Sequence, residues 1–233
     1  MHYILREYTI RMLPEVIIHN TLSLDNAFYG FDIDLEAHYS ILTSLAPDAV
    51  LFGSDTAKTG VEMFYNPIPA EAESDLKRPE MIAGNTRPVS VIVDSRGKLK
   101  NFLHIYRNLE HVRDVVVLVS ETTPADYLKY LEEREYPYLV SGCDHVDLKK
   151  AVRMLGDAFG FSRIVSDSGG KLNSVLIDER IASSLSIIIA PVIAGPDHRR
   201  YFEDIDKTIH LEMKESEKMK GGLLHLLYDI IRE

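Results

Sequence analysis

One cysteine in 233 residues, Cys143, excludes two architectures: no internal disulfide can form, and no second thiol exists to complete a metal knuckle. A reduced, partly buried thiol is expected there, not a nucleophile. Positive charge is also scarce. Lys and Arg number 26 against 36 Asp and Glu, a formal net charge of -10, which argues against a nucleic-acid partner while leaving room for a local basic pocket around a small phosphate. No apolar run reaches the roughly 18 residues that a membrane-spanning helix needs. Arg6, Glu7 and Arg11 interrupt the N-terminus where a signal peptide would be apolar, so a soluble, cytoplasmic protein without membrane contact is expected. The nine histidines form no His-x-x-x-His or His-Glu-x-x-His spacing, and no metal is expected. There is no internal repeat and no low-complexity tract.

What is present is a chain of 45% hydrophobic residues, ample for a core, read as one domain over 1–233 with 1–13 as an N-terminal extension. Short β-branched runs bounded by turn residues predict strands at 16–19, 49–52, 89–93, 115–119, 138–140, 163–165 and 185–192. Several are apolar throughout, as central parallel strands covered on both faces should be. Helical patterns at 35–45, 125–134 and 146–159 alternate with them, the last with Gly160 as its C-terminal cap. The alternation indicates an α/β fold with a mostly parallel sheet. A long stretch, 59–87, carries Pro67, Pro69, Pro79 and Gly84 and reads as irregular, either a substrate-covering segment or a solvated insertion. The Leu-rich run after Gly221-Gly222 suits a helix by periodicity.

The most informative segment is Ile164-Val165-Ser166-Asp167-Ser168-Gly169-Gly170-Lys171-Leu172-Asn173, a buried strand followed by paired glycines and a helix start. Such a junction can be a simple turn. It can also cradle a phosphate, because glycine lets backbone amides approach an anion and the helix N-terminus favours negative charge. A second strand ends in Phe52-Gly53-Ser54-Asp55-Thr56-Ala57-Lys58-Thr59, which imitates a P-loop. Phe52 and Ala57 stand where that loop needs glycine, so phosphoryl transfer is set aside. A third strand ends in Asp94-Ser95-Arg96, where a hydroxyl and a guanidinium suit a phosphorylated ribose and an Asx-type turn suits equally well.

The ordered set formed by Glu15-Val16-Ile17-Ile18-His19-Asn20 with Ser23-Leu24-Asp25, then Asp48 to Thr56, Val91 to Arg96, the Asp167-Ser168-Gly169-Gly170 run, and Ser186 to Gly195 resembles the RibD C-terminal domain family. These are the pyrimidine reductases of riboflavin biosynthesis, with a dihydrofolate-reductase-like fold. The resemblance spans about Glu15 to Tyr228 and implies that the terminal Leu-rich run is one arm of an antiparallel hairpin. It implies NADPH as cofactor, bound by Gly53, Thr56, Ser95 and Arg96, with Asp167, Ser168, Gly169, Gly170, Lys171 and Leu172 as the phosphate cradle. It further implies that Asn20 and Ser23 face a small phosphorylated pyrimidine substrate, that Asp25 anchors its loop or organises a proton in catalysis, and that two subunits pair as a homodimer. The chain departs from the family pattern at Asn26-Ala27, where Gly-Lys is usual, and at Ser168, where the run is usually Glu-Gly-Gly. Gly60 replaces an acidic residue for which Glu62 is the nearest substitute. A changed substrate, pterin-like or another carbonyl compound, and a non-catalytic nucleotide-binding protein are the alternatives these departures leave open.

Overall fold

The computed structural model describes residues 13–80, 82 and 84–231, so the extension expected at 1–13 lies almost wholly outside the described residues. Among these residues nine strands join in one sheet: β1 (Glu15–Ser23), β2 (Ala49–Gly53), β3 (Val89–Val93), β4 (Asp114–Val119), β5 (Tyr138–Val140), β6 (Arg163–Ser166), β7 (Ser184–Ala190), β8 (Leu211–Lys218) and β9 (Leu224–Ile230). Their order is β5-β4-β3-β2-β6-β1-β7-β9-β8. Pairings from β5 through β7 are parallel, and β9 runs antiparallel to both β7 and β8. The terminal run is therefore a strand, as the resemblance implies, and the β7 ladder overrides its helical periodicity.

Among the described residues, six α-helices cover the sheet: α1 (Leu35–Ser44), α2 (Ser54–Phe64), α3 (Leu103–Arg107), α4 (Ala125–Glu133), α5 (Leu148–Phe159) and α6 (Gly170–Asp178). Alternation along the strands divides them between two faces. Val16, Ile18, Leu51, Val91, Val116 and Ile164 pack with Leu155 of α5 and Leu176 of α6. The intervening residues face the other side, where Ile17, Val50 and Val165 meet Leu42 of α1, and Val115, Val117 and Val119 meet helices α2, α3 and α4. Each fully buried side chain of this size is worth about 1.5–3 kcal/mol of transfer free energy, so the alternation sets the register as well as the stability.

Capping follows sequence. Asp34 accepts from the Ala37 amide at 2.9 Å and Asp147 from the Lys150 amide at 2.9 Å, while Gly160 ends α5 in the left-handed region at φ 74°. Three expectations need correction. The first part of the supposed irregular stretch, from Thr59 to Phe64, belongs to α2, which holds because Ala57 and Val61 enter the core. Strand β1 continues to Ser23, because β7 pairs with it as far as Ala190. Cys143 is exposed, not partly buried.

β8 is one edge of the sheet, and β5 the other. All eight residues of β8 are exposed, and its pairing with β9 shifts register between Met213 and Glu215.

Candidate functional site

Because β1, β2, β3 and β6 run parallel, their carboxyl ends gather the predicted residues along one rim of the sheet. In open α/β sheets that rim is where ligands sit. Two loops meet there. The Gly53 amide donates to Ser168 Oγ at 3.0 Å, the Gly169 amide donates to Thr56 Oγ1 at 3.2 Å, and the two hydroxyls lie 3.3 Å apart. The loop after β2 and the loop after β6 are thus laced together by the hydroxyls of Thr56 and Ser168.

The lacing is fixed from beneath. The carbonyl oxygen of Ser168 is approached by Asn20 Nδ2 at 3.0 Å, Asn173 Nδ2 at 2.8 Å and the Tyr201 hydroxyl at 3.1 Å. Ser166 Oγ donates to Asn173 Oδ1 at 2.6 Å, and Asn173 Nδ2 also meets the Tyr201 hydroxyl. Holding the Ser168 carbonyl this way aims the Ser168-Gly169 peptide, and with it the Gly169 amide, toward Thr56.

The two glycines do different work. Neither adopts positive φ: Gly169 is the extended N-cap of α6 and Gly170 its first residue. A Cβ on Gly170 would stand 2.4 Å from the Tyr201 carbonyl oxygen, so only glycine fits beneath that backbone. At Gly169 a Cβ would meet Phe28 at 3.5 Å and Thr56 at 3.6 Å, ordinary contact. Packing against Tyr201 is what demands glycine at 170, and the amide of Gly169 is taken by Thr56. The amides free for an anion are those of the first turn of α6, at Gly170, Lys171 and Leu172, which precede the helix's own hydrogen bonds. The Lys171 side chain is exposed beside them, and Leu172 packs partly into the core.

Ser95 and Arg96 lie one strand further out, past β3, half-buried and exposed respectively. Asp94, 1% exposed, accepts from the Lys98 and Leu99 amides at 3.0 and 2.9 Å, so the turn expected as the alternative is present whether or not a ribose binds. Gly97 is required there, at φ 70° with Tyr127 2.9 Å from where a Cβ would be.

The side chains expected to face substrate are committed elsewhere. Asn20, besides holding Ser168, accepts the Thr21 amide on Oδ1 at 3.0 Å. Ser23, 1% exposed, donates to Asp25 at 2.6 Å and accepts the Ala27 amide at 2.9 Å. Asp25 also receives the amides of Ala194 and Gly195, each at 2.9 Å. The Ser23 hydroxyl first, and then these amides, hold its carboxyl well below the usual carboxylate range. A carboxylate so stabilised anchors the 23–27 turn to the chain after β7 and is a poor proton source, which gives Asp25 the anchoring role of the two expected for it. Glu62, the substitute for the acid missing at Gly60, pairs with Lys58 at 3.7 Å, with half its side chain exposed.

Sequence reasoning missed a buried polar group beside these loops. His38 of α1 lies with Nε2 3.3 Å from Asp167 Oδ1 and Nδ1 3.0 Å from Thr21 Oγ1. One carboxylate oxygen of Asp167 is thus directed at His38 of α1. Next to it, His19 is fully buried, with Nδ1 3.0 Å from Ser186 Oγ and Nε2 3.1 Å from the His38 carbonyl. Burial first, then the neighbouring His38, lowers its pKa to about 4. Lone histidines scattered along a sequence carry no signal of such an assembly; only strand alternation placing His19 and Thr21 on the α1 face could have hinted at it. Among the described residues, no three His, Cys, Asp or Glu residues form a group that could hold a metal ion.

A family model for the RibD C-terminal domain matches residues 38–225. The riboflavin biosynthesis protein RibD of Chlamydia pneumoniae is 25% identical over 125 residues, 53% of this chain and 32% of that protein, so the chain spans about a third of this curated relative's length. Among solved structures, a pyrimidine reductase-like protein from Corynebacterium diphtheriae superposes with a TM-score of 0.70 at 18% identity, covering 94% of this chain and 93% of that one. The riboflavin biosynthesis reductase of Saccharomyces cerevisiae gives 0.68 at 17% identity, covering 97% and 93%. RibD of Acinetobacter baumannii gives 0.67 at 19%, covering 94% of this chain and 58% of its own. At these identities the likeness establishes a shared fold, the mixed α/β sheet with its antiparallel C-terminal hairpin.

Proposed function

The chain belongs to the RibD C-terminal domain family, and from that premise we propose that it is an NADPH-dependent reductase acting on a phosphorylated ribosylamino-pyrimidine of riboflavin biosynthesis. The observation that carries this reading is the laced pair of loops at the rim, Gly53 to Thr56 and Asp167 to Leu172, which presents the N-terminus of α6 beside an exposed lysine. Oriented amides and the positive end of a helix suit the diphosphate of a dinucleotide, and the donor set fits that group. When bound, NADPH supplies hydride chemistry; the protein supplies position, exclusion of water and a proton. Gly170 lets α6 start against the Tyr201 backbone, and Thr56 and Ser168 hold the two loops at fixed separation. Asp25 secures the segment after β7, which brings the 193–195 chain to the same rim.

This reading takes the chain as one domain that works in the cytoplasm as a homodimer, with neither nucleic acid nor membrane as a partner. Among the described residues no helix is long and apolar enough to cross a membrane.

The engagement of Asn20 and Ser23 by protein partners favours a second reading, in which fold and cofactor are kept and a pterin-like or other carbonyl compound replaces the pyrimidine. Titration of the purified protein with NADPH and NADH, followed by turnover with the ribosylamino-pyrimidine phosphate, tests both. Saturable NADPH binding with oxidation dependent on that substrate is the expected result. Binding without turnover supports the second reading, and no dinucleotide binding at all refutes both.

A further inference from the structure

A cavity of about 350 Å³ opens on the α1 face of the sheet, between that helix and the terminal hairpin. Glu15, Arg163 and Ser184, the first residues of β1, β6 and β7, line it, so it lies at the amino ends of the parallel strands, opposite the rim. Its floor is apolar, formed by Ile17 of β1, Ile41 of α1 and Leu227 of β9. Two cations reach the cavity and both are matched, Arg163 by Glu15 at 2.7 Å and Lys214 by Asp229 at 3.0 Å. Glu215 and Glu217 are not. Among the described residues neither of these two carboxylates has an ion pair or a hydrogen bond, although both line the cavity.

His225 lies directly across the ladder from Glu217 and is 6% exposed. Its Nε2 is 2.9 Å from Ser186 Oγ, which is 3.0 Å from Nδ1 of His19, whose Nε2 is 3.1 Å from the His38 carbonyl oxygen. That row fixes the hydrogens. Burial keeps His19 neutral, and a carbonyl oxygen can only accept, so the ring carries its proton on Nε2 and its bare Nδ1 accepts from the Ser186 hydroxyl. The serine oxygen in turn accepts from Nε2–H of His225. Burial lowers the pKa of His225 against the opposing pull of Glu215 and Glu217, so this ring is neutral too and its Nδ1 keeps a lone pair without a proton. Among the described residues that nitrogen has no hydrogen-bond partner, and His225 lines the cavity.

The unmatched groups are therefore all acceptors: two carboxylates and one imidazole nitrogen. Among the described residues they do not form a group that could hold a metal ion. Their complement is a cation with several N–H donors and an apolar stem long enough to lie on Ile17, Ile41 and Leu227. We propose that this cavity binds an alkylammonium or alkylguanidinium cation, its head shared by Glu215, Glu217 and Nδ1 of His225 and its stem on the apolar floor. The site is separate from the rim and independent of the reductase reading. Such a cation has two sources, a free amine or a lysine or arginine side chain of a second copy of this chain.

The test uses the full chain with agmatine and n-butylamine as probes and n-butanol as the neutral control. Calorimetry should show saturable binding of both cations and none of the alcohol, weakening as salt rises because the head is partly exposed. Glu217→Gln, on a fully exposed strand where the change does not threaten folding, should weaken agmatine about fivefold, as should Glu215→Gln. Imidazole nitrogen shifts should show His225 as the Nε2–H tautomer, with its Nδ1 signal moved by agmatine. Absence of saturable cation binding, equal binding of butanol, undiminished affinity in Glu217→Gln or an Nδ1–H tautomer of His225 would each overturn the proposal. Sedimentation with and without agmatine separates the sources: paired copies that come apart identify a side chain of the second copy as the occupant, and an unchanged oligomeric state identifies a free amine.

Discussion

His19 makes stability depend on pH in a direction and window fixed by its surroundings. The imidazole is fully buried between Ser186 and the His38 carbonyl, and its pKa falls from 6.5 to about 4, chiefly through burial. In an unfolded chain the same ring titrates near 6.5, so between those values the unfolded state binds a proton that the folded state refuses. Stability contributed by the neutral ring is complete above about pH 6.5 and is lost as pH falls toward 4. The distance from 6.5 down to about 4, at about 1.4 kcal/mol per pH unit, sets a ceiling of about 3 kcal/mol, of which about 2 should already be lost at pH 4.5. Burial lowers the pKa of His225 as well and adds a contribution of the same sign, so the wild-type curve alone does not isolate His19. Urea unfolding of wild type and His19→Gln at pH 7, 6, 5 and 4.5 does isolate it. The variant loses packing and is less stable at pH 7, but the gap should narrow by about 2 kcal/mol by pH 4.5. Curves that remain parallel across that range would refute the assignment of a neutral, proton-refusing His19.

Gly170→Ala forces a methyl group toward the Tyr201 carbonyl, 2.4 Å from its ideal position, and should cost about 1–3 kcal/mol by chemical denaturation, whereas Gly169→Ala should fall within about 1 kcal/mol of wild type. Equal losses at both positions would show that the close approach to Tyr201 is not what demands glycine. Asp25→Asn weakens the hold on the Ala194 and Gly195 amides and should speed proteolysis within 192–199 at neutral pH; an unchanged cleavage pattern would remove Asp25 as the anchor. Thr56→Val releases the Gly169 amide and the Ser168 hydroxyl and should weaken NADPH binding by about 1 kcal/mol, roughly fivefold, in a fluorescence titration. Unaltered affinity would mean that the lacing of the two loops does not shape the cradle.

Much of the architecture could be read from residues alone because β-branched runs such as Val115 to Val119 have few alternatives to a buried strand. Helix α2 could not. Its sequence, with Asp55, Thr56, Thr59 and Gly60, is poor in helix formers, and only Ala57 and Val61 tie it to the core, so tertiary packing decides what local preference does not. The final strand was ambiguous for the opposite reason, since Leu-rich segments suit helices until a ladder such as that of β7 is available. At the rim, the identity of the clustered residues was legible but their duties were not. Asn20 and Ser23 look like ligand contacts in a linear text; only the fold reveals that Ser168 and Asp25 occupy them. His38 could not be found at all, because Thr21, Asp167 and the histidine come from three separate elements and no spacing links them.

The charged outermost strand has a consequence for how the molecule behaves in crowded solution. Of the eight residues in β8, Glu212, Lys214, Glu215, Glu217 and Lys218 carry charge, and the register shift beside Lys214 bends the border out of line. A foreign strand seeking to lengthen the sheet would have to dehydrate these groups and match a warped template, a penalty that guards against fibrillar growth. Growth of the hydrogen-bond ladder past β8 is therefore disfavoured, and this border stays with its own molecule.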